Sequence, residues 1–198
     1  MIDTDYIRLN RILAGVMFLI SFIVYFDTMA PTVSYWDCGE FIAVAHTLGV
    51  PHPPGSPFFL LIGRVASMLP FSDDVAFRVN LLSPLTSALA IMFLYLIIVQ
   101  VVVHWRGKLE TSHDALVAFG GAIVGSLAFA FTDSHWFNAV EAEVYAFSTF
   151  FTAIVVWLIL HWSERADEKG HERYILIIAY IIGLATGLHL LNLLTLPF

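Results

Sequence analysis

The sequence predicts an all-α, polytopic membrane protein, and three observations carry that prediction. Of 198 residues, 59% are hydrophobic and 13% charged, with a mean hydropathy of +0.83. Soluble domains carry about 45–50% apolar and about 25% charged residues. Aromatic residues make up 15%, a composition suited to lipid. Apolar stretches also recur near the length of about 20 residues that a helix needs to cross the hydrocarbon. A cytosolic globular enzyme and a disordered chain are thereby excluded. Nine Lys and Arg against sixteen Asp and Glu, a net charge of −7, exclude a nucleic-acid-binding module. Cys38 is the single cysteine, which excludes an internal disulfide framework and a zinc site built from cysteines.

Five spans are expected, at about 9–29, 79–104, 115–132, 144–162 and 174–195. The first is short between Arg11 and Asp27 and is lengthened by snorkelling of Arg8 and Arg11. A cleavable signal peptide ending at Thr28-Met29-Ala30 also fits this stretch, but Pro31 directly after it and the lack of a soluble domain downstream favour a retained span. The second runs without charge from Arg78 to His104, and the third from Asp114 to Asp133. The fourth follows Glu143 and the fifth starts at Tyr174. Repeats and low-complexity tracts are absent, and the chain is expected to be the N-terminal part of a longer membrane protein.

The segment PFFLLIGRVASMLPF, from Pro57 to Phe71, is apolar but short and carries Arg64 at its middle. If it does not cross, Arg8, Arg11, Arg106, Lys108, Arg165, Lys169 and Arg173 share one side, against Arg64 and Arg78 on the other. If it crosses, that bias collapses. The positive-inside rule therefore predicts a half-inserted or interfacial helix on the outer face. Two outer segments result, 30–78 and 133–143.

Ser34-x-x-Asp37 matches a capping box, which predicts a helix from near Tyr35 to about Leu48, ended by Gly49 and the prolines that follow. Asp37 and Glu40, three apart, share a helix face. They suit either a reactive pair or a helix cap with a first-turn charge favoured by the dipole. Glu141 and Glu143 diverge by about 200° on a helix, so one can enter a site while the other braces a neighbour. They equally suit the point where a helix leaves lipid. This second segment has no Lys or Arg, and an uncompensated acidic loop beside another suggests a shared site. His189 and Asn192, three apart in the fifth span, form either a functional pair or a helix–helix hydrogen bond. Arg64 and Arg78 are the fixed cations outside, and His52 can join them or serve a structural role. Trp36, Trp136 and Tyr145 beside carboxylates suit sugar rings, and arginine suits phosphate. The chemistry points to transfer from a lipid-phosphate sugar.

TVSYWDCGEFIAVAHTLGVPHPPGSPFFLLIGRVASMLPF, SHWFNAVEAEVYAFS and GLATGLHLLNLLT resemble the three signature blocks of the protein O-mannosyltransferase-like membrane family, common in Bacteroidetes-type bacteria. The resemblance implies the GT-C superfamily of inverting, multispanning glycosyltransferases with polyprenyl-phosphate-linked donors. It implies an acidic base or metal ligand in the first outer loop, matched by Asp37 with Glu40. It implies a second acidic motif in the next outer loop, matched by Glu141 with Glu143. On that basis Asp37 and Glu40 are expected to be catalytic, and Trp36, Glu141, Glu143, Tyr145, His189 and Asn192 to bind acceptor or sugar. His52, Arg64 and Arg78 are expected at the donor phosphate, and a divalent metal, if used, on Asp37, Glu141 and Glu143. No other cofactor is expected. The implied partners are the lipid bilayer, a polyprenyl-phosphate-linked sugar, mannose by the resemblance, and an exported protein accepting it on Ser or Thr. The expected setting is the bacterial inner membrane with the site facing the periplasm, or the endoplasmic reticulum in a eukaryote. Family members have more spans and often a soluble C-terminal domain, so this length alone is expected to be incomplete. A transporter or lipid-handling protein, with acids binding protons or cations, is the competing class; a non-catalytic membrane subunit is a third.

Overall fold

The computed structural model describes residues 4–107 and 109–196. Lys108, one of the seven cations expected on one side, lies outside the described residues. The described elements are helical: α1 (Thr4–Thr28), α2 (Cys38–Thr47), α3 (Pro57–Met68), α4 (Val75–Asn80), α5 (Leu82–Arg106), α6 (Ser112–Ala130), α7 (Asp133–Ala139), α8 (Val144–Ser163), α9 (Glu172–Thr186) and a 3-10 helix (Leu190–Thr195). Among them, Tyr6–Thr28, Val75–Arg106, Ser112–Ala130 and Val144–Ser163 are long and apolar enough to cross a membrane. The chain is an all-α polytopic membrane protein.

Helix α5 is the centre of the bundle, packing against α1, α6 and α8. Small residues allow the close approach. Ala88 on α5 and Ala118 and Ala122 on α6 are fully buried, and a Cβ at Gly125 would sit 3.1 Å from Ile98 Cδ1. Between α5 and α6 the chain reverses in a few residues. Gly107 takes a left-handed φ of 89°, Thr111 and Asp114 form a capping box, and Arg106 reaches Asp114 at 3.2 Å.

Segments 30–78 and 133–143 lie together at one end of this bundle. Ala30 N donates to Val140 O at 2.8 Å. Asn80, fully buried, donates to Ala30 O and Thr32 O, each at 2.9 Å, and accepts from Ala142 N at 3.1 Å. Tyr25 Oη donates to Ala130 O at 2.8 Å and Trp136 Nε1 to Thr28 Oγ1 at 3.1 Å. Beneath them Phe41, Ile42, Phe59, Val79, Ala142, Phe147 and Leu188 form a compact apolar cluster. Helix α3 has 12 residues, so it rises about 18 Å, well short of the about 30 Å of hydrocarbon. It packs on α2 instead, and a Cβ at Gly63 would lie 2.9 Å from Ala45 Cβ.

Two local expectations are corrected. The expected fifth span, 174–195, is not one helix: α9 ends at Thr186 and the chain resumes as the 3-10 helix. Asn192 clamps the break: its Nδ2 donates to Ala185 O and His189 O, each at 3.0 Å, while its Oδ1 accepts from Ser148 and Thr152, each at 3.2 Å. Gly187 O meanwhile accepts from Phe58 N at 2.9 Å, drawing the break against the start of α3. The helix expected from Tyr35 begins at Cys38, with no side-chain cap bond from Asp37. Ser34 donates its hydroxyl to Glu141 instead of closing a box, and Trp36 stands at a φ of 62°.

Truncating Asn80 strands two carbonyls and one N–H in a buried setting. Asn80→Ala is expected to destabilise the fold by about 2–4 kcal/mol, read as a lowered thermal unfolding midpoint in detergent. An unchanged midpoint would mean that the two connections hold each other without it.

Candidate active site

The start of α2 sorts the acids into two environments. Cys38, Phe41, Ile42 and Ala45 form its buried face, while Asp37 is exposed and Glu40 half-buried on the other. Glu40 reaches across to the proline-rich loop: its Oε1 accepts from His52 N at 2.8 Å and its Oε2 lies 2.7 Å from His52 Nδ1. That hydrogen bond holds the Glu40 carboxyl below its usual range and lifts the His52 imidazole above its own. Phe41 packs against His52, ring centroids 5.8 Å apart, so the loop is fixed by both charge and contact.

Beneath the exposed acids lies a buried group. Cys38 Sγ is 3.7 Å from Glu143 Oε1, and Glu141 accepts the Ser34 hydroxyl. Cys38, Glu141 and Glu143 are all buried and bring one ligand atom each within 4.8 Å of the others. Burial, then the charges of Asp37 and Glu141, push the Glu143 carboxyl up to about 7. Burial and the two glutamates likewise push the Cys38 thiol up.

A cavity of about 140 Å³ opens above Glu143, and both connections line it. Asp37, His52, Glu143, Tyr145 and His189, all singled out from the sequence, stand on its wall. Tyr145 and His189 face one another with ring centroids 5.2 Å apart. Glu40 sits behind His52, and Glu141 lies buried behind Glu143. Other expected residues lie elsewhere. Trp36 is 86% exposed and does not line the cavity. Asn192 is 1% exposed and braces the turn that presents His189. Arg64 donates to His46 O at the end of α2, and Arg78 to Leu69 O at 2.9 Å after α3. Both arginines cap helix ends at a remove from the cavity wall. Among the described residues, the groups spaced to hold a metal ion are Asp37, Glu40 and His52, and separately Cys38, Glu141 and Glu143. The expected set of Asp37 with Glu141 and Glu143 is thus divided between two clusters.

Sequence reasoning passed over Asn80, Ser34 and Cys38. Asn80 left a signal, a carboxamide at the mouth of an apolar window, and such groups are buried only with partners. Ser34 matches a helix cap in the sequence, which hides its bond to Glu141, and Cys38 lies on the buried face of α2, away from Asp37 and Glu40.

A carboxyl raised from 4.5 to about 7 stabilises the fold only while protonated. Its contribution is complete below about pH 4.5 and is lost as pH rises through about 7. Glu143→Gln, which stays neutral, is expected to flatten that loss. The gap between variant and wild-type unfolding midpoints should therefore widen from about pH 5 to about pH 8. Parallel midpoints across that range would contradict a raised Glu143.

Comparison with known proteins adds a family to this geometry. A family model described as the protein O-mannosyl-transferase TMEM260 N-terminal domain matches residues 37–198, which contain the first connection from Asp37 onward, the whole of the second and the His189 turn. The Dictyostelium discoideum protein O-mannosyl-transferase tmem260 is 32% identical over 197 residues, covering 92% of this chain and 22% of that protein. The mouse protein O-mannosyl-transferase TMEM260 is 31% identical over 163 residues, covering 82% of this chain and 21% of that protein. The chain therefore spans about a fifth of the length of the curated relatives it matches. No solved structure matches it significantly. With the family model covering most of its length, the chain belongs to the TMEM260 N-terminal-domain family of protein O-mannosyl-transferases.

Proposed function

We propose that this chain is the membrane-embedded N-terminal module of a protein O-mannosyltransferase of inverting GT-C type. In this reading a mannosyl group passes from a polyprenyl phosphate to a Ser or Thr hydroxyl of an exported protein. The observation that carries it is the single cavity walled by Asp37 from one connection and Glu143 from the other, with His52, Tyr145 and His189 around it. The relatives' names support protein O-mannosyl transfer as the reaction.

The chemistry is one displacement at the anomeric carbon. Asp37, exposed on the cavity wall, takes the acceptor hydroxyl proton as the new C–O bond forms. The bond from C1 to the phosphate oxygen breaks, and its electron pair leaves with the polyprenyl phosphate. Of the three cations the sequence offers for that anion, His52 lines the cavity, and Glu40 favours its charged form. Tyr145 and His189 offer ring faces for the sugar, and Glu143 a hydrogen-bonding carboxyl for its hydroxyls. Arg8, Arg11, Arg106, Arg165 and Arg173 fall at the opposite end of the spans, which supports an extracytoplasmic cavity. The corresponding compartment is the periplasm, or the lumen of the endoplasmic reticulum in a eukaryote.

In the full-length protein, Asp37→Asn is expected to lower transfer of labelled mannose from polyprenyl phosphate to an acceptor peptide by about 10²–10⁴-fold. Folded protein yield should hold. His52→Gln should cost less, on the order of tenfold, and raise the donor KM. Near-native transfer by the Asp37 variant would remove it as the base.

A further inference from the structure

We propose that Cys38, Glu141 and Glu143 form a buried site for one divalent cation of zinc-like character, with a water from the cavity as its fourth ligand. This goes beyond the transfer reading and stands whether or not that reading holds. A zinc site built from several cysteines is excluded in a chain with one; a site of one thiolate and two carboxylates is not.

Four features of the trio favour a cation. The donor set matches, since zinc takes Cys sulfur together with Glu oxygen. A tetrahedral ion with Zn–S near 2.3 Å and Zn–O near 2.1 Å has a sulfur–oxygen edge of about 3.6 Å. Cys38 Sγ and Glu143 Oε1 are 3.7 Å apart, and all three ligand atoms lie within 4.8 Å of one another. Glu141 supplies independent support. Its side chain is 4% exposed, and its Oε1 has no hydrogen-bond partner among the described residues, while Oε2 is held by Ser34. A buried, unpartnered carboxylate oxygen is costly unless something positive meets it, and Ser34 is placed to orient a ligating carboxylate. Finally, Arg64 and Arg78 are committed to helix-end carbonyls, so neither neutralises the trio.

Glu143 also lines the cavity, which gives the ion an entry path and a water. Binding would release the thiol proton to solvent as the thiolate forms, along with any proton held between the carboxyls. The cation would then sit behind the cavity wall, apart from the exposed Asp37, Glu40 and His52.

The test uses the full-length protein in lipid nanodiscs, stripped with a chelator and reloaded with zinc or cobalt alone. About one equivalent of zinc per chain should survive dialysis. The cobalt form should show a near-ultraviolet thiolate-to-metal charge-transfer band that Cys38→Ser removes. Glu141→Gln should weaken zinc by at least about tenfold. Because a variant can fail to fold, the wild-type protein gives a second readout: zinc should raise its thermal unfolding midpoint and chelation should reverse the rise. No charge-transfer band, a band that survives Cys38→Ser, or a midpoint indifferent to zinc would each overturn the site. None of these readouts requires sugar transfer.

Discussion

The side chain of Asn80 fastens the two connections at the site end to each other. A carboxamide offers two donors and one strong acceptor, and Asn80 uses all of them, two on the backbone of the first connection and one on the second. It is fully buried, where such bonds are strengthened and their loss is felt in full. Residues 48 to 62 positions away in sequence are thereby fixed to one point at the head of the central span. The Ala30–Val140 backbone bond adds a second fastening. This junction brings the connection that carries Asp37 against the one that carries Glu143, and both acids line one cavity.

The junction also explains why acids so close together coexist. The first turn of α2 turns Asp37 and Glu40 outward and Cys38 inward, three neighbours separated by the helical period. Outside, Glu40 is satisfied by both nitrogens that His52 offers it, from backbone and ring. Inside, the charge is held down: the Glu143 carboxyl rises to about 7 because it is desolvated and faces two other acids. Two carboxylates in one cavity wall therefore have distinct environments, the arrangement that separates a proton acceptor from a hydrogen-bonding partner.

Much of this was legible in the sequence where the signal was apolar length. Four of the five expected spans are helices long and apolar enough to cross, and the segment around Arg64 is a short helix packed on α2. Asp37, His52, Glu143, Tyr145 and His189 line one cavity, because both connections and the turn at His189 fall at one end of the bundle. What sequence could not supply was the choice each polar side chain makes among competing partners. Ser34 had a local cap within reach and took a glutamate 107 residues away. Arg64 and Arg78 looked like free cations and were spent on carbonyls at helix ends. The fifth apolar stretch stays apolar on both sides of His189, but the Gly187 carbonyl is taken by Phe58 N and the Asn192 side chain clamps the break between Ala185 and His189. A hydropathy window sees none of these exchanges.

The distribution of ionisable groups along the spans bears on the kind of work the molecule does. Transport pathways place such groups near mid-membrane. Here α1 has none between Arg11 and Asp27, the Val75–Arg106 segment has no Asp, Glu, Lys, Arg or His between Arg78 and His104, and α6 has none after Asp114. The buried polar groups within these spans are hydroxyls and a carboxamide, such as Ser21, Tyr25, Asn80, Ser87, Tyr95 and Ser126. The reactive groups gather where the helices leave the apolar region, and beside them α3 turns Leu61, Val65 and Met68 outward, each about 60% exposed and spaced along one helix face. The cavity itself mixes acids and histidines with Phe41, Val144 and Leu188 on its wall. Charged groups collected at one end of the bundle, with none along the middle of these three spans, are not the arrangement of a solute pathway through it.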